Sequence, residues 1–282
     1  MHNRALFGVG VLLLLFLLGC NHTSPPATEN DDEEPAPPEE SSWELVWADE
    51  FDGSGRPDTS KWTYETGGHG WGNNELQYYT NRSENARVED GHLVIEARKE
   101  DYEGNEYTSA RMNSAASWTY GRFEIRAKLP SGRGTWPAIW MLASQDQYGD
   151  QYWPDNGEID IMEHVGFDPD VVHATVHTEA YNHMQGTQRG SAIRIDSARS
   201  AFNVYAVEWT PALIRAYVNG RQYFVFERAP GATYQRWPFD QDFHLLLNIA
   251  VGGAWGGAEG IDPSIWPQEM VVDYVRVYTQ EE

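Results

Sequence analysis

From residue 43 onward, short runs of alternating apolar and polar residues dominate the chain. In residues 121–128, Phe123, Ile125 and Ala127 fall on one side and Arg122, Glu124, Arg126 and Lys128 on the other. That period of two is the mark of a half-buried strand. Comparable runs cover residues 92–98, 171–178, 203–209, 214–218, 222–227, 243–250 and 270–278, punctuated by Gly, Asn, Asp and Pro. Asn219-Gly220, set between two of them, is the signal of a two-residue hairpin turn. No long helical period competes. The pattern predicts an all-β domain over residues 43–279, a sandwich or β-jelly-roll of two antiparallel sheets with few helices.

The amino terminus has a different pattern. Arg4 precedes an unbroken apolar run over residues 9–18 that ends in Leu17-Leu18-Gly19-Cys20. A short positive region, an apolar stretch of this length and a small residue before the cut describe a secretory signal over residues 1–19. The run is too short to span a bilayer as a helix, which needs ~20 residues. Cys20 stands where a bacterial lipoprotein carries its lipid, and the segment resembles that lipobox. An ordinary signal peptide with an incidental Cys20 is the alternative. The lipoprotein reading predicts secretion across the inner membrane and a lipid-anchored place in the cell envelope, at the outer membrane or cell surface. Residues 20–42 interleave five prolines with acidic residues and hold no aromatic. They read as a solvated, self-repelling tether.

Composition narrows the classes further. The chain carries 43 acidic against 20 basic side chains, a formal charge of −23. Such a field repels a phosphate backbone, so nucleic acid is not an expected partner. Twelve Trp, 15 Tyr and 10 Phe supply a core that a disordered chain lacks. With Cys20 the only cysteine, neither an intramolecular disulfide nor a Cys-x-x-Cys zinc site can form. A monomer is expected.

The chemistry concentrates in Asn156-Gly157-Glu158-Ile159-Asp160-Ile161-Met162-Glu163-His164. On a regular strand Glu158 and Asp160 share one face, Ile159 and Ile161 the other, and Glu163 would point at the core. A buried unpaired carboxylate is costly. A β-bulge near Met162 removes the conflict, because one extra residue returns Glu163 to the face of Glu158 and Asp160. Three acids this close repel unless one holds a proton, which is what a glycosidase needs. A retaining enzyme sets two carboxyls ~5.5 Å apart, one as nucleophile and one as acid/base. The backbones of Glu158 and Glu163 would be about 13 Å apart, a gap that inward-leaning side chains narrow. A solvated acidic face or a metal site are the alternatives that spacing leaves open.

Together with segments 73–79, 118–122, 134–142, 173–177 and 251–257, this motif resembles glycoside hydrolase family 16, in particular its laminarinases, which are endo-acting β-1,3-glucanases. The five-step spacing from Glu158 to Glu163 is the family's bulged form. The resemblance implies a β-jelly-roll with a concave substrate cleft, a retaining double displacement on laminarin-type β-glucan, and no cofactor for catalysis. It implies Glu158 as nucleophile, Glu163 as acid/base, and Asp160 as the acid that orients and tunes the nucleophile. Trp136 and Trp140 share a strand face and are candidates to stack on pyranose rings, with a core position as the alternative. Trp255, between glycines, is a candidate for the cleft rim. His177 is a candidate near the reacting sugar, and Asn74 and Arg111 are further candidate sugar contacts. A structural calcium on the convex face would fall to Glu50, the carbonyl of Gly91, and Asp273; an acidic surface without metal is the alternative. Within the family, a lichenase or a galactan hydrolase is the rival reading. Outside enzymes, the rival is a noncatalytic β-glucan-binding protein, which the same fold supports.

Overall fold

The computed structural model describes residues 43–280. The signal at residues 1–19, the lipidation candidate Cys20 and the tether at residues 20–42 lie outside the described residues. Seventeen strands account for most of the remainder. They are β1 (Trp43–Asp49), β2 (Trp62–Glu65), β3 (Gln77–Tyr79), β4 (Ala86–Glu89), β5 (His92–Tyr102) and β6 (Asn105–Ser109). There follow β7 (Arg111–Trp118), β8 (Gly121–Lys128), β9 (Thr135–Ala143), β10 (Glu158–Glu163), β11 (Val171–His177) and β12 (Arg189–Arg194). The last five are β13 (Asn203–Trp209), β14 (Leu213–Val218), β15 (Arg221–Glu227), β16 (Phe243–Val251) and β17 (Gln268–Gln280). Among the described residues, helix is confined to α1 (Tyr152–Asp155) and a 3₁₀ turn at His183–Gln185.

The strands form two sheets. One runs β15-β14-β13-β8-β17-β5-β6-β3, with β1 also on β17 and β4 on β5; the other runs β12-β11-β10-β9-β16-β7-β2. Neighbours are antiparallel except β3 and β6, which pair in parallel. The expected all-β sandwich is therefore present, with one parallel pair at an edge that alternation alone does not reveal. Phe123, Ile125 and Ala127 of β8 are fully buried, while the alternate residues are only partly covered, as their period requires. Asn219 and Gly220 take φ of 51° and 77° between β14 and β15, the positive pair that a tight hairpin with the right twist demands.

A single apolar core spans both sheets. Tyr205, Val207 and Trp209 of β13 join Ile139 and Met141 of β9, Ile159 of β10, and Leu245, Leu247 and Ile249 of β16. Full burial of each such side chain is worth about 1.5–3 kcal/mol. The seven-stranded sheet thus has its inner face fixed by the core. Its outer face, centred on β9, β10 and β11, is free to carry polar groups.

Candidate active site

The decisive local feature is the register of β10. Against β9, Asp160 pairs with Trp140, but Met162 pairs with Ile139 and Glu163 with Ala138. Against β11, Asp160 pairs with Thr175 and Glu163 with His173. One extra residue therefore sits between Asp160 and Glu163 on both sides, which is the expected bulge. Ile161 and Met162 are consecutive, fully buried and both in the core. Two successive side chains pointing inward are what return Glu163 to the outer face. Tyr223, reaching across from β15, brings its hydroxyl to 3.5 Å from the carbonyl of Ile161 at the bulge.

Each acid meets a particular partner. Trp153 Nε1 donates to Glu158 Oε2 at 2.8 Å. Trp136 Nε1 donates to Glu163 Oε1 at 3.0 Å. His177 stands opposite the first two acids, with Nε2 3.3 Å from Asp160 Oδ2 and 3.9 Å from Glu158 Oε1. Burial, then the charge of Asp160, pushes Glu158 up to about 8. Burial, then the charge of Glu158, pushes Glu163 up to about 7. Asp160, only 3% exposed, is held well above the usual carboxylate range by burial and then by the charge of Glu163. Around neutral pH the cluster therefore keeps protons that carboxyls in water would release. Retained protons supply a general acid, and the indole donors favour negative charge on the oxygens they face.

The loop before β10 exists to deliver Trp153. Asn156 Oδ1 accepts from the backbone of Gln147 and Tyr148 at 2.8 Å each, and its Nδ2 donates to Asp146, Tyr148 and Tyr152. Asp155 Oδ2 accepts from the backbone of Asp150 and Gln151. Gly157 follows with φ of 84°, and a Cβ there would lie 2.7 Å from Pro238 Cγ. No other residue type lets the chain enter β10 at that point.

Residues 73–276 match Glycosyl hydrolases family 16. The chain belongs to this family. It is 63% identical over 273 residues to a beta-glucanase of Rhodothermus marinus, covering 94% of this chain and 92% of that one. The structure of a laminarinase from Rhodothermus marinus superposes with a TM-score of 0.85 at 64% identity, covering 86% of this chain and 99% of that one. A non-specific endo-β-1,3(4)-glucanase from family GH16, crystallised with 1,3-β-D-cellotriosyl-glucose, gives a TM-score of 0.81 at 47% identity over 85% of this chain and 96% of that one.

Around the acids, the family 16 scaffold treats the other candidate residues unequally. Trp136 and Trp140 share the outer face of β9, both partly exposed, and Trp255 packs edge-on against Trp136 at 5.6 Å and against His173 at 5.0 Å. These three indoles flank the acids. Arg111 does not stand free for a ligand. Its guanidinium is clamped between Trp71 and Trp140 at 4.8 and 4.7 Å, paired with Glu65, and its side chain is 11% exposed. It works as a wedge that fixes the plane of Trp140. Asn74 is exposed, with φ of 58°, in the turn beside the Trp255 loop; no hydrogen bond joins it to the acids. The carbonyl of its neighbour Asn73 accepts from Ala254 at 2.7 Å, so this turn steadies the loop rather than entering the acid cluster.

The calcium positions do not form a cation cage. Both oxygens of Glu50 accept from Arg276, at 2.8 and 2.9 Å, and this pairing lowers the Glu50 carboxyl below its ordinary range. Asp273 faces Arg126 and, at 3.5 Å, His92, while Gly91 is a turn residue with φ of 75°. Guanidinium charge satisfies the two acids, so the residues as arranged do not fit calcium.

Sequence reasoning missed several supports. Trp153 lies in the four-residue α1 with extended rather than helical backbone angles, where no periodicity marks it; its only signal is proximity to Glu158. Beneath Trp140, Nε1 donates to Asn248 Oδ1 at 2.7 Å, Asn248 donates to Tyr79 at 3.0 Å, and Tyr79 donates to Glu75 at 3.1 Å. Glu75 also accepts from Gln77 at 2.6 Å, while burial raises its pKa. Trp140, Asn248 and the segment that carries Glu75, Gln77 and Tyr79 are far apart in the chain, and only the packed sheet joins them. His183, from the 3₁₀ turn, sets its ring 5.0 Å from Trp153 and 5.2 Å from His177.

Proposed function

We propose that this protein is an endo-acting retaining glycoside hydrolase that cleaves β-1,3-glucosidic bonds of laminarin-type glucans by double displacement. The observation that carries the reading is the bulge that sets Glu163 on the same face as Glu158 and Asp160, each outer acid under an indole N–H. The similarity to a beta-glucanase at 63% identity supports the choice of glucan.

Glu163 begins protonated and gives its proton to the departing glycosidic oxygen. Glu158 attacks the anomeric carbon as that bond breaks and forms a glycosyl-enzyme. The Trp153 N–H and the nearby His177 favour the ionised form of Glu158 that attacks, and Asp160, next to it on the same face, orients it. Once Glu158 is esterified its charge is gone, so Glu163 becomes more acidic and serves as base toward incoming water. Trp136, Trp140 and Trp255 offer flat apolar faces to the sugar C–H groups. A sugar hydroxyl in place of water gives transglycosylation as a side reaction. The reaction draws on side chains alone.

The same reading takes the chain as a monomer and includes a lipid on Cys20, with the enzyme held at the outer membrane or cell surface. Arg4, the apolar run at residues 9–18 and Gly19 before Cys20 support that part. Calcium at Glu50 and Asp273 is left out, because arginines engage both.

Reducing-sugar release compared across laminarin, lichenan and agarose tests the substrate, and NMR of the first-released anomer tests the stereochemistry. Laminarin cleavage with retained β configuration is expected, and Glu158→Ala and Glu163→Ala should each lose several orders of magnitude in rate while staying folded. Release from agarose alone would overturn the glucan assignment, and an inverted first product would overturn the double displacement. Equal glucan binding by wild type and Glu158→Ala with no cleavage by either would instead mark a binding protein.

A further inference from the structure

Glu158, Asp160 and His177 each offer one ligand atom, and those atoms all lie within 4.8 Å of one another. Two ligands on one tetrahedral zinc stand ~3.4 Å apart when each bond is about 2.1 Å. The 3.3 Å between His177 Nε2 and Asp160 Oδ2 already meets that spacing, and the 3.9 Å to Glu158 Oε1 exceeds it only slightly. A second feature is independent of the clustering. Asp160 Oδ2 is fully enclosed on a side chain only 2% exposed, yet it accepts no hydrogen bond. It faces His177 Nε2 without hydrogen-bond alignment, so a buried carboxyl oxygen is left without a hydrogen-bond partner, which is uncommon in folded proteins.

We propose that this trio binds one divalent transition-metal ion of the kind that imidazole and carboxylate share, zinc or copper, as a reversible inhibitor competing with glucan. One nitrogen and two oxygens suit those ions, with copper the tighter of the two. Calcium and magnesium fit poorly, since they call for six or more oxygens or a near-complete octahedron of them. The ion occupies Glu158 Oε1, whereas Trp153 holds the other oxygen, Oε2, so the indole bond survives binding. With Oε1 coordinated, its lone pair cannot attack an anomeric carbon. Metal and sugar therefore exclude each other, and glucan at high concentration displaces the ion. Glu163 is not a member of the trio and keeps its bond to Trp136.

The test is calorimetric titration of the full chain with zinc chloride, repeated with copper chloride. It is paired with steady-state kinetics in zinc on the glucan that the enzyme cleaves. One site per chain is expected, with copper tighter than zinc. Glu163→Gln should bind within about threefold of wild type, and Glu158→Gln and His177→Gln each at least tenfold more weakly. Zinc should raise KM while leaving kcat unchanged, and chelation with EDTA should restore the original rate. His183→Ala separates a role for the neighbouring imidazole and should bind as wild type does. Absence of binding, undiminished affinity in Glu158→Gln, loss of affinity in His183→Ala alone, or a fall in kcat at constant KM would each overturn the site. Calorimetry without substrate distinguishes failure of the metal site from failure of the glucanase reading.

Discussion

Glu163→Gln should stabilise the fold, and only at neutral and alkaline pH. Glu163 is partly exposed at the end of β10, and its carboxyl is pushed from 4.5 to about 7 by burial and then by the charge of Glu158. At about 1.4 kcal/mol per pH unit that displacement corresponds to roughly 3 kcal/mol. Solvent reaching the outer face screens part of it, leaving about 1–3 kcal/mol. The sign follows from the raised folded-state value. Below about pH 4.5 the carboxyl is protonated whether the chain is folded or not, so glutamate and glutamine are equivalent. Between about pH 4.5 and 7 the unfolded chain loses its proton first, and wild type loses stability relative to the variant. Above about pH 7 the gap stays constant. Trp136 can donate to the glutamine oxygen as it does to the carboxylate. For a domain of this size each kcal/mol moves Tm by about 2–4 °C, so the variant should gain about 2–12 °C near pH 8 and almost nothing near pH 4. Scanning calorimetry of both proteins at about pH 4, 6 and 8 measures this. A Tm difference independent of pH, or one favouring wild type at pH ~8, would refute the claim that Glu163 is crowded by Glu158 in a shielded site.

Other outcomes follow from single contacts. Trp153→Phe removes the donor to Glu158 while keeping the ring; a hydrogen bond to a charged group is worth about 1.5–3 kcal/mol, so kcat/KM should fall about 10- to 100-fold with the melting temperature little changed. Asn248→Leu frees the Trp140 N–H and breaks the link to Tyr79, so stability should drop by about 1–3 kcal/mol in urea unfolding and KM should rise more than kcat falls. Gly157→Ala forces a side chain into φ of 84° and against Pro238. It should cost about 2–5 kcal/mol, visible as a lowered urea midpoint.

Much of this protein was legible in its sequence, because alternation and turn chemistry are local. The buried face of β8 and the hairpin at Asn219-Gly220 follow from the two-residue period and from positive φ at the turn. The bulge in β10 also follows from sequence, since an unbulged strand would drive Glu163 into a core that Ile161 and Met162 fill instead. Long-range partners were hidden. Alternation says that Trp140 faces outward but not that Asn248, 108 residues away, receives its N–H, nor that Arg111 wedges against it. Trp153 reaches Glu158 from the short, irregular α1 segment, which shows no period, through backbone bonds gathered by Asn156. Arg276 meets Glu50 across 226 residues, which composition cannot foresee, so an acid that resembled a calcium ligand proved to be half of an ion pair. Side-chain direction along a strand is set by the backbone's own geometry. Which groups meet across strands, and hence which carboxyl keeps its proton, is decided only when the two sheets close on a shared core.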